Sequence, residues 1–404
     1  MQCFSGFDTI FLSIDFEGFK MKKNVRLYWL SAIVIVVAIP LLTVAILRFR
    51  QDQLFKKRQA DVELQNPEQD ILLYYYSNLS YKEQLLYKSI LSAAETFELS
   101  SEALPYHFDI YNAKNVLHAL RLDHPELYFV DFSGISLVEY PYGSQIQLSY
   151  YFSHDEYLEQ QKKMDATVSE ILNFSDEKND PFSVELAIHD KIIALCRLNS
   201  EPSNQTPSSS AWGVLVDHCA DNRGYALAAK LLLSKMDIPC YVLSGQDSEN
   251  NTLYWCLVKI GEHYYHMDAA FDDADLDFAP SLVFHGYFNL SDSEIQKTRS
   301  IDLPTAFAAD DETNYYRSRG LCAENEAELC DIIYKELCES AEKGQNYIEI
   351  CPHYNPDQEN IKSLLLNGIH RYNDEHPNQK RKEVTRIYNV AEQSQGITVQ
   401  LFSE

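Results

Sequence analysis

AWGVLVDHCADNRGYALAAKLLLSKMDIPCYVLSG, residues 211–245, is the stretch on which the fold turns, and LYWCLVKIGEHYYHMDAAFDD, residues 253–273, completes it. From Asn222 to Met236 the apolar residues recur at helical spacing, with alanine and leucine, both strong helix formers, filling the turns. Three strands are expected to follow: CYVLSG, LYWCLVKI and EHYYHMDAAF, the last two joined across Gly261-Glu262. A helix followed by three strands puts the stretch in the α+β class.

Working outward, Ser80-Tyr-Lys-Glu83 has the form of a capping box. It opens an amphipathic helix in which Leu86, Ile90, Ala94 and Phe97 fall on one face. A second helix is expected at about Asn112 to Leu122, then a turn into a strand at HPELYFVD. Ile146, Leu148, Tyr150 and Phe152 alternate as in a half-buried strand. Helices are expected from about Asp155 to Leu172 and from Ser183 to Cys196, and SEPSNQTPSSS (residues 200–210) reads as an exposed loop. Beyond Asp302 the pattern is helix (Ala323 to Lys343), strand (Tyr347 to Cys351), helix (Gln358 to His376) and two strands (Glu383 to Val390, Gly396 to Phe402), a small α+β unit.

The N-terminal end differs in kind. Leu27 to Leu47 runs 21 residues without a charge, about 31 Å as a helix and close to the hydrocarbon thickness of a bilayer. A transmembrane signal-anchor is therefore expected at residues 27–47, with Tyr28 and Trp29 at the interface. Basic residues flank the run on both sides, so orientation rests on the size of the following domain, expected outside the cytoplasm. Met21-Lys-Lys is an alternative start. The expected organisation is a tail (1–26), the span (27–47), a juxtamembrane linker (48–68), an N-terminal extension with helices (69–180), the core (181–301) and the C-terminal unit (302–404). The net charge is −26, although the segment to Arg58 holds nine Lys or Arg against four Asp or Glu. So acidic a remainder repels a phosphate backbone, which excludes nucleic acid as an expected partner.

The two quoted stretches resemble the core of bacterial transglutaminase-like domains, members of the papain-like cysteine-enzyme superfamily, and the resemblance implies an α+β core with a helix packed on an antiparallel sheet. In that family an aromatic-Gly run leads to a nucleophilic Cys, then x-Gly-Tyr-Ala and a leucine-rich helix. His-Ala-Trp lies on a following strand, and an orienting Asp on the next. Trp212 matches the aromatic, Gly224-Tyr225-Ala226 the Gly-Tyr-Ala, and Trp255 the tryptophan after the histidine. DHPELYF and the helix containing AIHDKI resemble the family's N-terminal extension. A thiolate at a helix N-terminus is favoured by the macrodipole and by a neighbouring imidazolium, which a carboxylate orients. The resemblance places Asn222 at the Cys position and Leu253 at the His position, and Asp268 at the acid, with Asp272 and Asp273 as the family's Asp pair. An amide and an alkyl chain neither attack a carbonyl nor move a proton near neutral pH.

With the expected span as anchor, what the resemblance implies is a pseudoenzyme: a module binding a protein, peptide or cell-wall ligand. The alternative is an active cysteine protease or transglutaminase with a relocated nucleophile, Cys219, preceded by His218. A third reading is a structural spacer whose groove is filled by Leu253 and Trp255. Asn222 has a structural use as a helix N-cap. His266 shares a strand face with Asp268, Cys256 takes the opposite face from Leu253, and both are expected to be structural. No Cys-x-x-Cys, His-Glu-x-x-His or Gly-rich loop is present, so neither metal nor cofactor is expected. From Met21 the chain has eight cysteines, an even number compatible equally with disulfides outside the cell and with buried thiols.

Overall fold

A computed structural model describes residues 39, 41–50, 73–141, 143–173, 180–199, 207–273, 283–302, 312–354, 356–383, 385–388 and 396–402. The chain divides into two compact units, Met1–Asn66 and Pro67–Glu404. In the first, residues 39 and 41–50 are helical and exposed. Residues 27–38 and 40 of the expected span, residues 51–68 of the expected linker and residues 69–72 of the extension lie outside the described residues. Among the described residues no helix is long and apolar enough to cross a membrane.

The second unit is α+β. It opens with α1 (Tyr74–Asn78), α2 (Tyr81–Glu95) and α3 (Ile110–Asp123). At the start of α2 the Glu83 carboxylate accepts from the Ser80 backbone N–H at 3.0 Å, the reciprocal half of a capping box. Leu86, Ile90 and Ala94 are fully buried, while Phe97 lies past the helix end at φ +55°. The expected strand at HPELYFVD is a turn, joined to Tyr150 only by an isolated bridge from Val130. A hairpin follows, β1 (Ser136–Tyr140) with β2 (Gly143–Gln147), and then α4 (His154–Ile171) and α5 (Pro181–Leu195). Two-residue strands β3 (Arg197–Leu198) and β4 (Cys219–Ala220) pair in parallel, with a π-helical turn at Gly213–Asp217 between them.

The centre is α6 (Asn222–Ser234), packed on an antiparallel sheet of β5 (Cys240–Gln246), β6 (Thr252–Ile260) and β7 (His263–Met267) in the order β5-β6-β7. Nearly all of α6 is buried, including Lys230. Its ammonium donates to Leu122 O at the C-terminal end of α3 at 2.8 Å, where the helix dipole favours a cation, and lies 4.0 Å from Asp123. Asp123 accepts from the Tyr75 and Tyr76 backbone N–H groups, so one carboxylate ties α1, α3 and α6 together. The expected strand through Phe271 ends at Met267. Asp268 instead caps a four-residue helical turn, Ala269–Asp272, by accepting from Phe271 N at 3.2 Å.

The C-terminal part holds β8 (Cys322–Ala323), α7 (Glu326–Glu342), β9 (Tyr347–Pro352), α8 (Gln358–Glu375), β10 (Arg386–Tyr388) and β11 (Ile397–Gln400). The sheet order is β10-β11-β9-β8, with β8 parallel to β9 and the other neighbours antiparallel. Leu329, Ile333 and Leu337 of α7 and Ile361, Leu365 and Ile369 of α8 close on Ile348, Ile350 and Val399 of the sheet. A Cβ at Gly368 would stand 2.6 Å from Ile333 Cγ2, so glycine there permits the two helices to approach.

Candidate functional site

The N-terminal end of α6 is built from polar groups of three segments. Asp221, not Asn222, is the N-cap: its Oδ1 accepts from Gly224 N at 2.9 Å, and Asn222 is the first helical residue. Aspartate and asparagine cap about equally well, so the order of the chain alone leaves the choice open. The segment 207–210 crosses close above this turn. A Cβ at Gly224 would lie 2.8 Å from Ser208 O, which accounts for the glycine. Arg121 and Arg223 both donate to Ser209 O, at 3.1 and 3.4 Å, and the Arg223 guanidinium lies 5.1 Å from the centre of the Tyr254 ring. Burial, and then the neighbouring Arg223 charge, push the Arg121 pKa down to about 10.

The alternation of β6 decides what can meet that helix end. Cys256 Sγ lies 3.3 Å from Ala226 O of α6, so the face of β6 carrying Cys256 is the one against the helix. Leu253, Trp255 and Leu257 share the other face, in one cluster with Tyr241, Leu243, Tyr287, Leu290 and Ile295. Leu253 is buried opposite Gly245 of β5. A Cβ on Gly245 would collide with Ser300 O, because residues 300–302 run along β5 with hydrogen bonds from Ser300 N to Gln246 O and from Asp302 N to Ser244 O. The β6 residue that reaches the α6 N-terminal turn is therefore Tyr254.

Asp268 is 1 % exposed and fully engaged. One carboxylate oxygen caps the turn at Phe271, and the other takes a short ion pair from Arg299. The Arg299 side chain is itself wholly buried. Its guanidinium lies 4.2 Å from the Phe271 ring centre, 5.1 Å from Trp255 and 5.2 Å from Tyr287. Cation–π attraction and the ion pair together offset the desolvation of both charges. Beside it, His266 Nδ1 accepts from Trp255 Nε1 at 2.9 Å, which leaves the proton on Nε2, 2.7 Å from Asp292. Burial lowers the His266 pKa, the Asp292 carboxylate opposing it. Both ring nitrogens are held, so this imidazole has no lone pair to offer a substrate.

Cys219 is half-buried on β4, after His218 at φ +55°. Among the described residues no imidazole or carboxylate is hydrogen-bonded to its thiol. Tyr225 O–H donates to Asp273, whose carboxylate also accepts from Leu198 N at 3.2 Å. Trp212 is buried and packs on Phe152, with ring centres 5.6 Å apart.

Asp272 opens a buried polar chain that sequence reasoning missed. It accepts from Tyr287 N at 3.0 Å and lies 3.2 Å from His189 Nε2. His189 Nδ1 and His285 Nε2 each lie 3.0 Å from Asp190 Oδ1. His285 Nδ1 lies 2.9 Å from Glu349 on β9, which also accepts from Tyr315 O–H at 2.7 Å. Burial disfavours an imidazolium at 285. The Glu349 charge and the hydrogen bonds to Asp190 and Glu349 outweigh it and push its pKa up to about 10. His189 and Asp190 stand in the AIHDKI stretch, but no local spacing announces His285, Arg299 or Glu349.

No family model matches the chain, and no curated protein matches it. Two solved structures are similar in part. One, from Cytophaga hutchinsonii and provisionally described as a cysteine protease, is 15% identical, with a TM-score of 0.23 over 34% of this chain and 61% of that one. The other, described as a TGase, is 12% identical, with a TM-score of 0.26 over 55% of this chain and 65% of that one. This chain thus spans less than two thirds of either. Similarity at this level says nothing of activity.

Proposed function

We propose that residues 67–404 form a transglutaminase-like module that has given up acyl transfer and serves as a binding module for a protein, peptide or cell-wall ligand. In this reading the run at 27–47 anchors it to a membrane, with the module outside the cytoplasm. One observation carries the loss of catalysis: Arg299, wholly buried in an aromatic cage, neutralises Asp268, the carboxylate that would orient a base. Leu253 supplies no imidazole beside it, and Asn222 no thiolate at the helix end. A ligand is then better met at the α6 N-terminal turn, where Arg121, Arg223 and Tyr254 gather cationic and aromatic groups.

The test is incorporation of a fluorescent primary amine into a glutamine peptide, together with labelling by a cysteine-reactive activity probe. The expected result is no incorporation, and labelling of Cys219 no faster than that of a free thiol in solution. Turnover abolished by Cys219→Ser would overturn the reading in favour of a relocated nucleophile.

A further inference from the structure

Two clusters among the described residues bring three or more metal-ligating side chains together, and they differ in one respect. In the first, His189, Asp190 and His285, every ring nitrogen already has a carboxylate partner, and the group is complete as a chain of shared protons. In the second, Cys322, Cys351 and His353, it is not. β8 and β9 are parallel neighbours in register Cys322↔Cys351 and Ala323↔Pro352. Side chains two apart share a face, so Cys322 and Glu324 lie across from Cys351 and His353 at the sheet edge. The two sulfurs and one nitrogen of His353 all lie within 4.8 Å of one another. Tetrahedral zinc with bonds of about 2.3 Å to sulfur sets two sulfurs about 3.8 Å apart, within reach of small side-chain rotations.

The imidazole carries the second observation. His353 Nδ1 lies 2.9 Å from Glu324 Oε1. Its Nε2 is buried with no hydrogen-bond partner among the described residues, although the side chain as a whole is 12 % exposed. A carboxylate on one nitrogen and an unmatched buried lone pair on the other is how a histidine is fixed for metal ligation. A disulfide between Cys322 and Cys351 would use neither His353 nor Glu324 and would leave that nitrogen unmatched.

We propose that Cys322, Cys351 and His353 form a binding site for a thiophilic divalent cation, zinc in the first place, with Glu324 orienting the imidazole. Binding forms two metal–sulfur bonds and one metal–nitrogen bond, and the two thiol protons leave to solvent. The fourth position falls to water or to an external ligand, since β8 is the edge strand. The site fastens the two strands that flank α7 and is independent of the acyl-transfer question.

The full chain, purified under reducing conditions, stripped with a chelator and reloaded, tests this. Wild type is expected to hold about one zinc per chain and, with cobalt, to give thiolate-to-metal charge-transfer absorption. His353→Gln and Cys351→Ser are expected to lose both signals, and Glu324→Gln to weaken affinity roughly 10–100-fold. Zinc should raise the unfolding temperature of wild type but not of His353→Gln, and equal metal-free unfolding of the two excludes misfolding as the cause. Equal metal content in wild type and His353→Gln would overturn the proposal. So would Cys322 and Cys351 resisting alkylation until reduced in protein purified without reductant, the mark of a disulfide.

Discussion

Arg299 and Asp268 are the residues whose environment is most exacting. Each is buried beyond the reach of water, and each is tolerable there because of the other. Removing one partner leaves an uncompensated charge, so Arg299→Met is expected to lower unfolding stability by about 3–5 kcal/mol. Asp268→Asn combined with Arg299→Met should recover a large part of that loss, because the aromatic cage accepts a thioether and no charge remains unpaired. Urea unfolding of the two single variants and the double variant measures the coupling; additive losses would show that the ion pair does not govern the site. Asp268 was singled out in the sequence by the family resemblance. Its partner was not, because Arg299 arrives from a segment with no periodic pattern.

At the scale of elements, α6 and its first turn govern how the sheet meets the N-terminal extension. Asp221→Ala is expected to cost about 1 kcal/mol through the lost cap, and Asn222→Ala much less, since Asn222 is inside the helix. Thermal unfolding separates them; the reverse order would mean that Asn222 is the cap. Helix existence and approximate limits were readable from apolar spacing at α2, α4, α5, α6 and α8. The strand expected through Phe271 was not, because a side-chain cap at Asp268 ended it and aspartate gives no sign in advance of which backbone N–H it will accept from. The short strands β3, β4 and β8 carry too few residues for a period to show, yet β8 brings the two cysteines together.

For the whole molecule, the buried chain from Asp272 to Glu349 joins the helix–sheet core to the C-terminal sheet through shared protons. Its pH dependence has a definite sign. The imidazolium of His285 is favoured in the fold, so its contribution is complete below about 6.5, the unfolded value, and is lost as pH rises towards about 10. Glu185, fully buried, has its pKa pushed up to about 8 by burial, opposed by the Asn289 hydrogen bond and the His189 charge. Its neutral form is the one favoured, so stability falls from about pH 4.5 until pH 8. Above about pH 6.5, where the buried neutral His266 no longer contributes to the slope, stability is therefore expected to decline to pH 10, and Glu185→Gln to flatten the part below pH 8. Urea midpoints across that range check it; a rise with pH would contradict both assignments.

By itself the sequence determined the α+β class and the helix opening at Asn222 with its following strands, although it ran that helix on to Met236 where the structure ends it at Ser234. Those follow from local rules, since spacing and residue type act within a few turns of chain. Tertiary structure alone decided that Arg299 closes on Asp268, that Tyr254 rather than Leu253 reaches the helix end, and that Cys322, Cys351 and His353 converge. These pairings join residues far apart in the chain. Backbone register and the need to match every buried charge select them, and neither leaves a mark in the local order of residues.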